Sequence, residues 1–117
     1  MKHTELNAEL VGARVKGIFM THVTGTIVAV FAEKNGVRCD LNDPNANCKG
    51  VEIELDGCVY DGDNKFTRYE STERIMPQDR YNSFVERHGK EYADKVKASV
   101  ENGFGNLKYT EVIGSLA

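Results

Sequence analysis

The run Val23-Thr24-Gly25-Thr26-Ile27-Val28-Ala29-Val30-Phe31 decides how this chain is read. β-Branched and aromatic side chains dominate it, and such residues suit a pleated, half-buried surface. The sequence predicts a strand here, with Gly25 permitting a bend or a bulge near its start. A second strand is predicted over Ala13 to Met20. Arg14 and Lys16 flank Val15 at its start, and Ile18, Phe19 and Met20 make its end apolar on both faces, which suits burial in an interface or under a helix. Downstream, Val51-Glu52-Ile53-Glu54-Leu55 alternates strictly. Val51, Ile53 and Leu55 are expected to face inward and the two glutamates water. Asn64 to Glu70 reads as the next strand, with Phe66 and Arg68 on one face and Lys65, Thr67 and Tyr69 on the other.

Turn chemistry separates these runs. Within Ala32-Glu33-Lys34-Asn35-Gly36, the Asn-Gly pair supplies positive φ and predicts a hairpin, with a return strand over Val37 to Asp40. Asn42 to Gly50 is a polar loop. Its oxygens invite a calcium reading, but Pro44 and the later glycine and glutamate break the EF-hand pattern, so a solvated loop is expected. Asp56-Gly57 predicts a turn or bulge, and Asp61 to Asn64 a further turn. At the N-terminus, Thr4 to Leu10 suits a helical turn capped by Thr4, with Leu6 and Leu10 docking on the body.

After a crossing segment, Ser71 to Met76, Pro77 stands where a first helical residue tolerates it, and the period changes. Tyr81, Phe84, Val85, His88, Tyr92, Val96 and Val100 recur at three- and four-residue steps, the mark of one helical face. Glu86 with Lys90, and Glu91 with Lys95, suit pairs four apart. Gly89 either kinks one helix or separates two shorter ones. Asn102-Gly103 is expected to end the helix, and Leu107 to Ile113 reads as a last strand. The fold class expected is α+β: a small antiparallel β-sheet or barrel over residues 12–77, then a C-terminal helical extension over 78–117, all in one domain.

The 117 residues allow one modest core, a shortage that an oligomer would relieve. A formal net charge of -3 disfavours a dedicated non-specific nucleic-acid binder, whose affinity rests on phosphate neutralisation. Cys39, Cys48 and Cys58 are odd in number and match neither a disulfide framework nor a common zinc spacing, so reduced thiols and no metal site are expected. Neither a signal sequence nor a membrane-spanning run is visible, which predicts a cytoplasmic protein without a membrane partner.

No catalytic motif stands out, and no enzymatic activity or cofactor is expected. Gly103-Phe104-Gly105 lacks the strand-and-helix setting of a phosphate loop. The feature that does suggest chemistry is basic and aromatic: Phe66, Arg68, Tyr69, Arg74, Arg80 and Tyr81. Guanidinium forks hold phosphates bidentately and aromatic faces stack on flat rings, so together they suit a nucleotide-like ligand. The predicted helix start would add free N–H groups and a positive dipole end. The same residues also suit ordinary roles, with Arg68 paired to Glu70 or Glu73, Phe66 and Tyr81 in the core, and Arg80 solvated.

The order V-G-A-R-V-K-G, G-T-I-V-A-V, V-E-I-E-L-D, E-R-I-M-P over Gly12 to Pro77 resembles small SH3-like barrels of the KOW and Tudor type. That resemblance implies binding of RNA, protein tails or modified peptides. In architecture, a β core followed by helices in a small acidic chain also looks like phage anti-defence sponges of the Thoeris anti-defence type. Those capture cyclic ADP-ribose or cyclic oligonucleotide signals between protomers, in the host cytoplasm. The expectation is therefore a homo-oligomeric, non-enzymatic binding protein for a small anionic nucleotide-like ligand. The alternative is an SH3-like barrel that binds nucleic acid or a protein partner.

Overall fold

The computed structural model describes residues 3–17, 23–61, 64–104 and 110–113. Among the described residues six strands and two α-helices follow in order: β1 (Arg14–Gly17), β2 (Thr24–Lys34), β3 (Val37–Cys39), β4 (Cys48–Asp61), β5 (Asn64–Arg74), α1 (Gln78–His88), α2 (Lys90–Phe104) and β6 (Thr110–Val112). The strand pairs are antiparallel, and the sheet runs β5-β4-β2-β1-β6, with β3 pairing a different part of β2. The α+β class is as the sequence implies.

The Val23–Phe31 run is indeed the centre. As β2 it pairs β4 along one edge, and β1 and β3 share its other edge at opposite ends. Its bulge does not sit at Gly25, which pairs in register with Val15 and Leu55. The register shifts between Ile27 and Ala29 instead. Gly25 serves close packing: a Cβ there would lie 2.6 Å from Ile53 Cγ2 and 2.7 Å from the Glu54 carbonyl oxygen.

The hairpin turn is tighter than Ala32–Gly36. Ala32, Glu33 and Lys34 belong to β2, and Lys34 pairs directly with Val37. Only Asn35 (φ 52°) and Gly36 (φ 82°) form the loop, the positive pair that a two-residue hairpin needs. Two other expected boundaries also move. Cys48–Gly50, assigned to the polar loop, starts β4, and Ser71–Arg74, assigned to the crossing, continues β5.

Alternation holds on β4. Val51 and Ile53 are buried and join Leu6, Ala13, Val15 and Ile27 in the core, with Leu10, Val30 and Leu55 packed around them. The irregularity predicted at Asp56-Gly57 falls in the register break between Glu54 and Val59. The N-terminal segment makes two 3-10 turns, His3–Glu5 and Ala8–Leu10, the second capped by Asn7 and not by Thr4.

The barrel alternative is not realised: the sheet is open, with β5 at one end and β6 at the other. Leu6 and Leu10 of the N-terminal turns pack on its apolar face. The division at residue 77 is likewise blurred, because β6 returns from the C-terminal part to pair with β1. Of the predicted Ala13–Met20 strand, residues 18–20 lie outside the described set, as do 62 and 63 of the Asp61–Asn64 turn and 107–109 of the last strand.

Gly89 resolves the helix question in favour of two. Its φ of 87° and ψ of 164° lie far from helical values, and its N–H closes α1 on the Val85 carbonyl. The Tyr81 hydroxyl donates to Asp94 at 2.6 Å, and Phe84 and His88 both meet the Tyr92 ring. These contacts mean that α2 runs back along α1. Glu91 and Lys95 are 3.9 Å apart as expected, whereas Glu86 and Lys90 straddle the break and lose their helical spacing.

Candidate functional site

The predicted basic-aromatic cluster splits over three places. Alternation along β5 sends Arg68 and Tyr69 to opposite faces. Arg68 lies opposite Glu54 and holds Glu52 at 2.5 Å, with Glu54 at 3.9 Å. These carboxylates raise the guanidinium pKa, the hydrogen bond to Glu52 first. The expected partners Glu70 and Glu73 are therefore not the ones used. Tyr69 lies opposite Ile53 and is exposed. Phe66 pairs through its backbone with Val59, and its side chain lies outside the described residues.

Tyr81 is turned toward α2. Its hydroxyl bond to Asp94 pushes its pKa up, and Lys97 Nζ sits 5.6 Å from its ring centre. The ring lies outside the core cluster and joins the two helices.

Arg74 and Arg80 do come together. They line one cavity of about 630 Å³ between the end of β5, the Ile75-Met76-Pro77 crossing and the helices. Asn47, Cys48, Thr72 and Glu73 add polar wall, and Val100 of α2 adds an apolar one. Among the described residues neither guanidinium makes an ion pair. The described lining residues include one carboxylate, Glu73, against two arginines, and none of them is aromatic.

The helix start contributes less than expected. Gln78 N–H donates to the Pro44 carbonyl (2.8 Å), Asp79 N–H to Asn45 Oδ1 (2.9 Å), Arg80 N–H to Asp79 Oδ1 (2.7 Å) and Tyr81 N–H to the Pro77 carbonyl (3.0 Å). Any anion would be met by side chains, not by these amides. The same bonds explain the polar loop. Asn45 caps α1, Asp40 and Asp43 accept from Asn42 and Asn45 N–H groups, and Asn47 exchanges bonds with Asn35. Its oxygens clamp the helix and the hairpin to the sheet. Among the described residues no group of His, Cys, Asp and Glu could hold a metal ion.

Cys48, on the cavity wall, has its thiol pushed up by desolvation, the opposite of what a nucleophile needs. Cys39 is shifted the same way, again mainly by desolvation. Cys58 lies outside the described side chains.

The outer sheet face carries a second constellation that the sequence reading passed over. The Arg38 guanidinium stacks 3.4 Å from the centre of the Phe31 ring and bridges Glu33 (3.4 Å) and Glu70 (3.0 Å). Arg14 bonds Thr26 and Asp56, and Thr24 also donates to Asp56. The hairpin register was the available signal, since Asn35-Gly36 sets Arg38 opposite Glu33 and on the Phe31 face.

Residues 1–88 match the model of a family described as a domain of unknown function, DUF7258. The chain belongs to this family. Its match takes in the sheet through β5 and ends with α1, so Arg74 and Arg80 lie inside it and Val100 outside. No curated protein and no solved structure matches the chain. No helix among the described residues is long and apolar enough to cross a membrane.

Proposed function

We propose that this chain is a cytoplasmic, non-enzymatic binding protein that captures a small phosphate-bearing ligand of the nucleotide-derived class in the Arg74–Arg80 cavity. The observation that carries this reading is the convergence of two guanidiniums, unpaired among the described residues, on one pocket. Its volume of about 630 Å³ falls within the range of small-molecule sites, roughly 300–1,000 Å³. Guanidiniums grip phosphate oxygens bidentately, and Thr72 and Asn47 add neutral hydrogen-bonding groups beside them. The stretch Ile75-Met76-Pro77, with Val100, offers an apolar wall for a base or sugar. The aromatic faces expected to stack on a base, Phe66, Tyr69 and Tyr81, are not among the described residues that line this pocket.

Thermal shift and calorimetry with cyclic ADP-ribose, ADP-ribose isomers, cyclic oligonucleotides and inorganic phosphate test the reading. A ligand that binds only the folded state raises the melting temperature. Arg74→Ala and Arg80→Ala should each weaken that ligand by about tenfold to a hundredfold, the worth of a charge-assisted hydrogen bond. The ligand should be recovered unchanged. Absence of any shift, or a shift indifferent to both substitutions, defeats the site. Conversion of the ligand to product defeats the non-enzymatic part.

A further inference from the structure

Strand β5 ends the sheet, and among the described residues nothing pairs with its outer edge. It is 11 residues long, or about 36 Å at roughly 3.3 Å per residue. Such an edge is a template for another strand. In the sequence of this one, N-K-F-T-R-Y-E-S-T-E-R, the charges of Lys65 and Glu73 and of Arg68 and Glu70 invert about the midpoint, Tyr69, and only Arg74 has an uncharged counterpart, Asn64. We propose that β5 pairs antiparallel with β5 of a second copy of the chain, in the register that sets Tyr69 opposite Tyr69, so that two sheets become one.

Opposed residues of an antiparallel pair face the same side, so the centre of a two-fold pairing falls on a residue and moves one residue at a time. Centred on Tyr69, Arg68 stands opposite Glu70 of the second copy, and Glu70 opposite its Arg68. Lys65 and Glu73 take opposed positions in the same way. Moving the centre to residue 68 opposes Arg68 to Arg68, and moving it to residue 70 opposes Glu70 to Glu70. Opposite charges directly across a strand pair stabilise it and like charges destabilise it. One register is selected and both neighbours are penalised. An edge guarded by charge against general aggregation is thus open to one partner, itself.

The centre of the edge is accessible, with the Arg68 and Glu70 side chains 61% and 52% exposed. Arg68 already holds Glu52, and Glu70 holds Arg38, so the pairing would join these into one ionic chain across the seam. It would also bring Asn64 of the second copy opposite Arg74, at the rim of the cavity. The inference goes beyond the binding reading and is tested without a ligand, and its charge reversals fall on residues that do not line the cavity.

Sedimentation velocity on the full chain, on Arg68→Glu, on Glu70→Arg and on their equimolar mixture provides the test. The unaltered chain should sediment as a dimer and each variant as a monomer. The mixture should recover the dimer, because a chain negative at both positions meets a chain positive at both. A monomeric unaltered chain overturns the proposal. So does a dimer that survives either reversal, or a mixture of folded variants that stays monomeric. Should a reversal prevent folding, cross-linking decides instead. With Cys39, Cys48 and Cys58 changed to serine, Tyr69→Cys should give a disulfide-linked dimer on oxidation and Thr72→Cys should not, since only position 69 faces itself. Equal cross-linking at the two positions, or none at 69, overturns it.

Discussion

At Gly50 the sheet has no room for a side chain. A Cβ there would stand 2.8 Å from Thr72 Cγ2 and 2.9 Å from Phe31 Cζ, and would press on the Ser71 carbonyl oxygen. Phe31 lies over this glycine with Arg38 stacked above, which is how an aromatic ring on the face away from the core stays only 6% exposed. Gly50→Ala must push the ring or the β5 backbone aside, and overpacking of this kind costs about 1–3 kcal/mol. Urea unfolding should show a lower midpoint with an unchanged slope. An unchanged midpoint would mean that the strands part freely here. Asp56 gives a second residue-scale expectation. The hydrogen bond from Arg14, then that from Thr24, lowers its pKa to about 2 from 3.8. A depressed carboxylate stabilises the fold fully above its unfolded pKa and ceases to as pH falls through the folded one. The tie from β1 to β4 should therefore hold at pH 4 and fail toward pH 2. A carboxyl-carbon NMR titration should find Asp56 near 2, and higher in Arg14→Gln, where only the Thr24 bond still lowers it. A wild-type midpoint close to 4 would refute the ion pair.

Among the elements, the break at Gly89 carries the sharpest expectation. Its φ and ψ of 87° and 164° fall in a region open essentially to glycine alone, where a side chain costs of order 1–3 kcal/mol. Gly89→Ala should favour a continuous helix over the tight reversal and separate Tyr81 from Asp94. Loss of the Phe84–Tyr92 and His88–Tyr92 NMR contacts would report it, and their persistence would show the turn to be held by other means. The sequence placed this glycine inside a helical period and could not choose between kink and break, because periodicity continues across a reversal when both helices show the same face to each other. Strands were legible where apolar alternation marked them, as at Val51–Leu55, or where Asn35-Gly36 fixed a turn. They were illegible at Ser71–Arg74, where the one buried side chain is a serine, and at Cys48–Gly50, which follows an asparagine-rich loop. The candidate site depended on these two hidden strand ends. Arg74 and Arg80 were nameable from the sequence, but their separation from Arg68, Tyr69 and Tyr81 follows from the strand's alternation and the helix reversal. Thr72, Asn47 and Cys48 lay in segments read as connections.

For the molecule as a whole, the core and the helices stand apart. The extents are 49 × 30 × 25 Å and the radius of gyration is 16.0 Å, against about 13 Å for a compact domain of this length. No residue of α1 in the described set is fully buried, and in α2 Ala93 is. The helices bury each other's half-exposed faces, while Val15, Ile27, Val51 and Ile53 lock the sheet. Elements with few buried apolar contacts open at a lower free energy than the global transition. Native-state hydrogen exchange should therefore separate two units. Amides of β2 and β4 around Ile27 and Ile53 should exchange only through global unfolding, and those of α1 and α2 through a smaller opening with a weaker dependence on denaturant. The cavity lies between these units, since Thr72 and Arg74 belong to the sheet and Arg80 and Val100 to the helices. A ligand held there should slow exchange in the helices more than in the central strands, because it binds only while the two units are docked. Uniform protection of strands and helices without ligand would make the molecule one cooperative unit, and the cavity a fixed feature of it.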